Sequence, residues 1–106
     1  MGMPQHTPFN ETAAGTGSGA TATHALSAGK TFFVTSISGH VDADAIITIE
    51  SPAATVVWES KIDVSVEGTS FNFPGLNVAG SPGAAILGKI SASTADCQVN
   101  ISGYQI

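Results

Sequence analysis

The apolar and polar positions from Thr31 to Glu50, TFFVTSISGHVDADAIITIE, set the grammar of the chain. Phe33, Ile37 and Val41 share one parity, and Ala45, Ile47 and Ile49 continue it. Period-two alternation marks a strand with one buried face, so the stretch predicts two strands. Gly39 to Asp44 supplies the polar turn between them, without an Asn-Gly or Asp-Gly pair to define its type. The same alternation recurs on both sides. Ala22, His24 and Leu26 alternate with threonines and Ala25, and Ala28-Gly29-Lys30 turns the chain. Ser51-Pro52 ends the hairpin's second strand, because proline has no N–H for the ladder. Thr55 to Ser60 is strand-forming, with Val56 and Trp58 on one side and Val57 on the other. Ile62, Val64 and Val66 follow, then Phe71 and Phe73 before a Pro74-Gly75 turn. Leu76 to Gly83 reads as a loop. Ala84, Ile86 and Ile90 line another strand, with Gly88 where the backbone is closely approached or bulged. Cys97, Val99 and Ile101 form the inward face of the last strand, which Gly103 interrupts before Tyr104 and Ile106.

These segments amount to about eight short strands with turn signals every ~8–12 residues, the spacing of a sandwich or barrel. No window holds a helical period. The expected fold is all-β, with antiparallel strands in two packed sheets, jelly-roll or immunoglobulin-like. Its expected core contains Phe33, Ile37, Ile47, Ile49, Val64, Ile86, Val99 and Ile101.

Met1 to Ala20 has a different texture. It places Pro4, Pro8, Gly15, Gly17 and Gly19 among serine, threonine and alanine, and its large apolar side chains are Met1, Met3 and Phe9. Such a segment buries too little apolar area on its own to offset its ordering entropy. Residues 1–20 therefore read as a flexible segment, either a plain disordered tail or an arm that orders on a neighbouring subunit with Phe9 as its anchor, and residues 21–106 as the sandwich domain.

Charge narrows the partners. Of the 106 residues only 10% are charged, against 42% hydrophobic, and the net charge is −5. The basic residues are Lys30, Lys61 and Lys89, with no arginine. Nucleic acid is not an expected partner, since phosphate binding needs a basic footprint. A membrane surface is not expected either, for want of basic residues or a spanning apolar run. A low charged fraction suits a surface partly covered by other subunits.

Candidate chemistry is sparse. His40, Asp42 and Asp44 alternate and so can share one side of an extended segment, but two carboxylates fall short of the ~6–8 oxygens calcium takes. They read as a solvated turn, and no metal or other cofactor is expected. His6, His24 and His40 lack zinc spacing, and Cys97, the one cysteine, reads as a small apolar residue. No Gly-x-Ser-x-Gly elbow or phosphate loop is present. No catalytic constellation remains, and the chain is expected not to be an enzyme. Trp58 and Tyr104 stand as partner-contact residues beside Phe9, or as a sugar-stacking pair if exposed and coplanar.

The order of elements carries a resemblance. Thr23-His24 and Ala28-Gly29-Lys30 lead into Val34-Thr35-Ser36-Ile37-Ser38-Gly39. Val57-Trp58-Glu59, Phe71-Asn72-Phe73-Pro74-Gly75-Leu76 and Val99-Asn100-Ile101-Ser102-Gly103-Tyr104 follow. This pattern, over Thr21 to Ile106, resembles the small all-β virion proteins of tailed bacteriophages, most of all the head decoration or cement proteins. The glycine-rich segment before it departs from the shortest such proteins. The resemblance implies a non-enzymatic clamp on the capsid exterior, a homotrimer that bridges subunits of the major capsid protein. It brings no catalytic residues. The alternative is a carbohydrate- or receptor-binding module of a phage tail or fibre.

Overall fold

A computed structural model describes residues 7–16, 19–63, 69–92 and 96–106. They form nine strands: β1 (Thr7–Thr16), β2 (Ala20–His24), β3 (Phe32–Val41), β4 (Ala45–Glu50), β5 (Val56–Ile62), β6 (Thr69–Phe73), β7 (Val78–Ala79), β8 (Ile86–Ala92) and β9 (Asp96–Gln105). The described residues contain no helix. One sheet has the order β1-β9-β3-β6 with the short β7 also on β3, and the other has the order β2-β8-β4-β5. All pairs are antiparallel.

The pairings nest. β4 pairs β5, β3 pairs β6, β2 pairs β8 and β1 pairs β9. The chain is thus one long antiparallel ribbon with its tip at the β4–β5 turn. Rolling the ribbon up adds the β3·β9 and β4·β8 contacts and closes the two sheets. That strand order is the jelly roll, which decides between the two expected sandwich types.

Val64, expected in the core, lies outside the described residues. Ile37, Ile47, Ile49, Ile86, Val99 and Ile101 are fully buried between the sheets. Phe33 is not. Phe32 and Val34 point inward instead, at 1% and 0% exposure, and Phe33 stands on the outer face. The reason is a bulge between Val34 and Ser36, where the register against β9 shifts. One extra residue, Thr35, flips the parity, so even positions face the core before it and odd positions after it. Thr35 is tied down locally: its Oγ1 donates to the Ser102 carbonyl at 3.2 Å and its own carbonyl accepts from Leu76 N–H at 2.8 Å.

The first strand corrects the expected boundary at residue 20. Thr7 to Thr16 is no arm; it pairs along its whole length with β9, from Thr7 opposite Gln105 to Thr16 opposite Asp96. Phe9 belongs to the core cluster at 9% exposure, with Ala13 packed against it. Composition alone judged whether the segment can fold unaided. The ladder of β9 supplies its hydrogen bonds, and the inward row Phe9, Glu11, Ala13, Gly15 has the period of a strand.

Gly88 is the close approach expected of it: a Cβ there would come within 2.3 Å of Ile101 Cγ2 across the core. Gly103 likewise admits no side chain, since its Cβ would lie 1.8 Å from the Phe33 carbonyl oxygen.

At one end of the roll, Ser51 ties two loops together. It is fully buried; its hydroxyl donates to the Ala85 carbonyl at 2.7 Å and accepts from Ser81 N–H at 3.0 Å. Ser81 Oγ returns a bond to the Ser51 carbonyl. The Ser51–Pro52 peptide bond is cis.

Candidate binding surfaces

A jelly roll built this way has two outer sheet faces and two seams where the sheet edges meet, and the candidate residues distribute among them. Phe9 sits in the β1/β2 seam. Its ring stacks on His24 (centroids 4.2 Å apart, 12° between planes) and meets Phe32 edge-on at 5.7 Å. His24 donates from Nδ1 to Glu11 Oε2 at 2.7 Å, pinning β2 to β1. This places the anchor residue inside the chain's own fold and takes it out of a partner's reach. Sequence reasoning missed Glu11 and the Glu11–His24 pair, because only the β1–β2 apposition brings them together.

Trp58 lies in the opposite seam. From edge strand β5 its half-buried ring meets Phe73 of β6 at 5.1 Å and 66°, and Phe73 neighbours Phe71. Beside it Val56 and Val57 are 49% and 40% exposed. The β4–β5 register shifts at this point, Glu50 pairing with Val56 and Ile49 with Trp58.

Tyr104 stands on the outer face of the β1-β9-β3-β6 sheet. It is the cross-strand partner of Phe33, and the two rings stack at 5.0 Å and 11°. Its hydroxyl donates to Asn77 Oδ1 at 3.3 Å. Trp58 and Tyr104 are thus on different sheets, each in its own ring pair, and do not make the coplanar platform considered for sugar stacking. A row of small neutral groups crosses this face in register, Thr12, Asn100, Ser38 and Asn72, with Thr12 donating to Asn100 Oδ1 at 2.7 Å.

The outer face of the β2-β8-β4-β5 sheet differs. A shallow open groove of about 860 Å³ crosses it where β2 and β4 begin and β5 and β8 end. Ile46, 38% exposed, faces Lys61 across one ladder and Ser91 across the other. Lys89 pairs in register with Thr48 and Thr21. Glu50, on the same face, is buried to 6%; its Oε1 accepts from Ala54 N–H at 2.8 Å and its Oε2 lies 4.0 Å from Lys89 Nζ.

His40, Asp42 and Asp44 do not assemble. Asp42 Oδ2 accepts from Asp96 N–H at 3.1 Å, and among the described residues no three His, Cys, Asp or Glu side chains converge to hold a metal ion. Cys97 is buried at 2% exposure. Burial pushes its thiol above the ordinary range, and the carboxylates of Asp42 and Asp96 push it in the same direction. A thiol so placed stays protonated at neutral pH and packs as a small apolar group.

No protein-family description and no curated protein matches the chain. Among solved structures, one titled "CBM4 structure and function" aligns over 91% of this chain and 94% of its own, with 10% identity and a TM-score of 0.33. The jelly-roll assignment rests on the strand order above.

Proposed function

We propose that this protein is a non-enzymatic structural component of a tailed-phage virion, a decoration protein that binds the head from outside and bridges subunits of the major capsid protein. The observation that carries the reading is edge strand β5. Val56 and Val57 are consecutive and both well exposed, and Trp58 offers part of its ring beside them. An unpaired strand edge that exposes apolar groups is a surface that asks for cover. The order of elements from Thr21 to Ile106 supports the same reading, and so does the low charged fraction of 10%. In this assignment Trp58 contacts the partner, Phe9 holds the fold, and Tyr104 sits on the opposite sheet face. The homotrimer is the assembly the resemblance implies, with β5 at or near its contacts.

The test is direct. Heads purified without the protein are incubated with the folded chain and imaged by electron cryomicroscopy. Added density at symmetric positions on the shell, with β5 toward a neighbour, is the expected result. Bare shells at saturating micromolar protein would remove the proposal.

A further inference from the structure

Beyond head binding, we infer that the groove on the β2-β8-β4-β5 sheet is a binding site for a carboxylated glycan. Its lining gathers Lys61 and Lys89, which leaves only Lys30 of the chain's lysines elsewhere. Lys30 precedes β3, beyond the far end of β2, where its carbonyl accepts from Gly83 N–H. On a chain of net charge −5, these two lysines offset Asp44 and Asp63 in the lining and offer a ligand carboxylate cationic partners that most of the surface lacks.

The two ammonium groups lie on either side of β4. Lys61 projects from β5 opposite Ile46, and Lys89 from β8 opposite Thr48, one ladder step apart on the same outward face. Lys61 has no ion pair among the described residues. Lys89 is 44% exposed and its Nζ lies 4.0 Å from Glu50 Oε2, beyond hydrogen-bond distance, so its three N–H donors are not consumed by that contact. Between them the exposed Ile46 side chain gives an apolar floor.

The rim decides the class of ligand. Asp44 and Asp63 also line the groove. A polyanion such as an acidic peptide meets two lysines and is then opposed by two carboxylates. A sugar acid meets all three features with complementary groups. Its carboxylate pairs with Lys61 and Lys89, its ring hydroxyls donate to Asp44 and Asp63, and the C–H face of the ring lies on Ile46. A volume of about 860 Å³ accommodates a short oligosaccharide and falls in the ~300–1,000 Å³ range of ligand sites.

The experiment uses the full chain, isotope-labelled and titrated with a galactose trisaccharide that carries a single galacturonate, while backbone and isoleucine-methyl NMR spectra are followed. Neutral galactotriose and a hexaglutamate peptide are run in parallel. Saturable shifts centred on Ile46, Lys61 and Lys89, induced by the mono-uronate trisaccharide alone, are expected. Lys61→Gln and Lys89→Gln each weaken that binding by about tenfold, while Lys30→Gln leaves it unchanged. Unaltered circular dichroism shows the variants folded. The inference is overturned by no saturable shift at millimolar mono-uronate trisaccharide, by equal binding of galactotriose or hexaglutamate, by shifts confined to the other sheet, or by lysine variants that bind as well as the parent. None of these outcomes bears on head decoration, which is read on virus particles.

Discussion

The two seams of the roll solve one problem in different ways. Where β1 meets β2, Phe9 stacks at 4.2 Å on His24, Glu11 takes the imidazole N–H at 2.7 Å, and Phe32 closes the cluster from below at 1% exposure. Where β5 meets β6, Trp58 leans edge-on against Phe73 at 5.1 Å, and the valines beside it stay in solvent. The first seam is sealed by groups the chain supplies itself. The second is closed on the inside and left apolar at its rim. A seam finished from within serves folding. A seam that ends in exposed valines and a half-buried tryptophan has surface left for a partner.

The comparison breaks most sharply at Phe9. Phe9→Ala removes a buried ring from the core cluster, and is expected to cost about 3–5 kcal/mol. Thermal unfolding followed by circular dichroism reads this as a drop in Tm of more than about 10 °C for a domain of this size. Deleting residues 1–16 is expected to be at least as damaging, because it strips β9 of its outer ladder partner along its full length. A Tm close to the parent's for either variant would mean that β1 is not part of the cooperative unit. Trp58→Ala is the matched change in the other seam. Part of that ring is in water already, so about 1.5–2.5 kcal/mol is expected, roughly half the loss at Phe9. Equal losses at the two positions would erase the distinction between the seams.

Much of this fold was legible in the residues. The alternation of Ala45, Ile47 and Ile49, and of Cys97, Val99 and Ile101, predicts faces that the structure bears out, because nothing interrupts their period. Around Phe33 the same reasoning slipped by one residue. A bulge adds Thr35 without any glycine or proline to announce it, and only pairing with β9 makes the extra residue necessary. The first strand was hidden for another reason. Phe9, Glu11, Ala13 and Gly15 do alternate, but small residues carry little hydrophobic signal, and their burial comes from a sheet contributed by the last strand of the chain. Glu11 and His24 could not be paired from sequence, because neither residue type nor spacing predicts which edges meet. The groove was hidden in the same way: Lys61 and Lys89 are far apart in the chain and come to flank β4 only through the order β8-β4-β5.

The smallest expected effect on stability is the most informative about the partner. Val56 and Val57 are 49% and 40% exposed, so replacing both by threonine removes little buried area. Threonine keeps the β-branch that suits a strand, and exposed substitutions of this kind usually stay within about 0.5 kcal/mol. The Val56→Thr, Val57→Thr protein should therefore melt within a few degrees of the parent. Its apolar rim is gone, however. If β5 meets a capsid subunit or a second copy, those hydroxyls must be desolvated at the contact, and each costs free energy unless the partner answers with a hydrogen bond. Head binding measured by co-sedimentation should weaken by an order of magnitude or more while the fold stands. A large fall in Tm would place the valines inside the fold and make the two seams alike. Unchanged Tm with unchanged head binding would leave the β5 rim as ordinary surface, and the partner would have to be sought on the sheet faces.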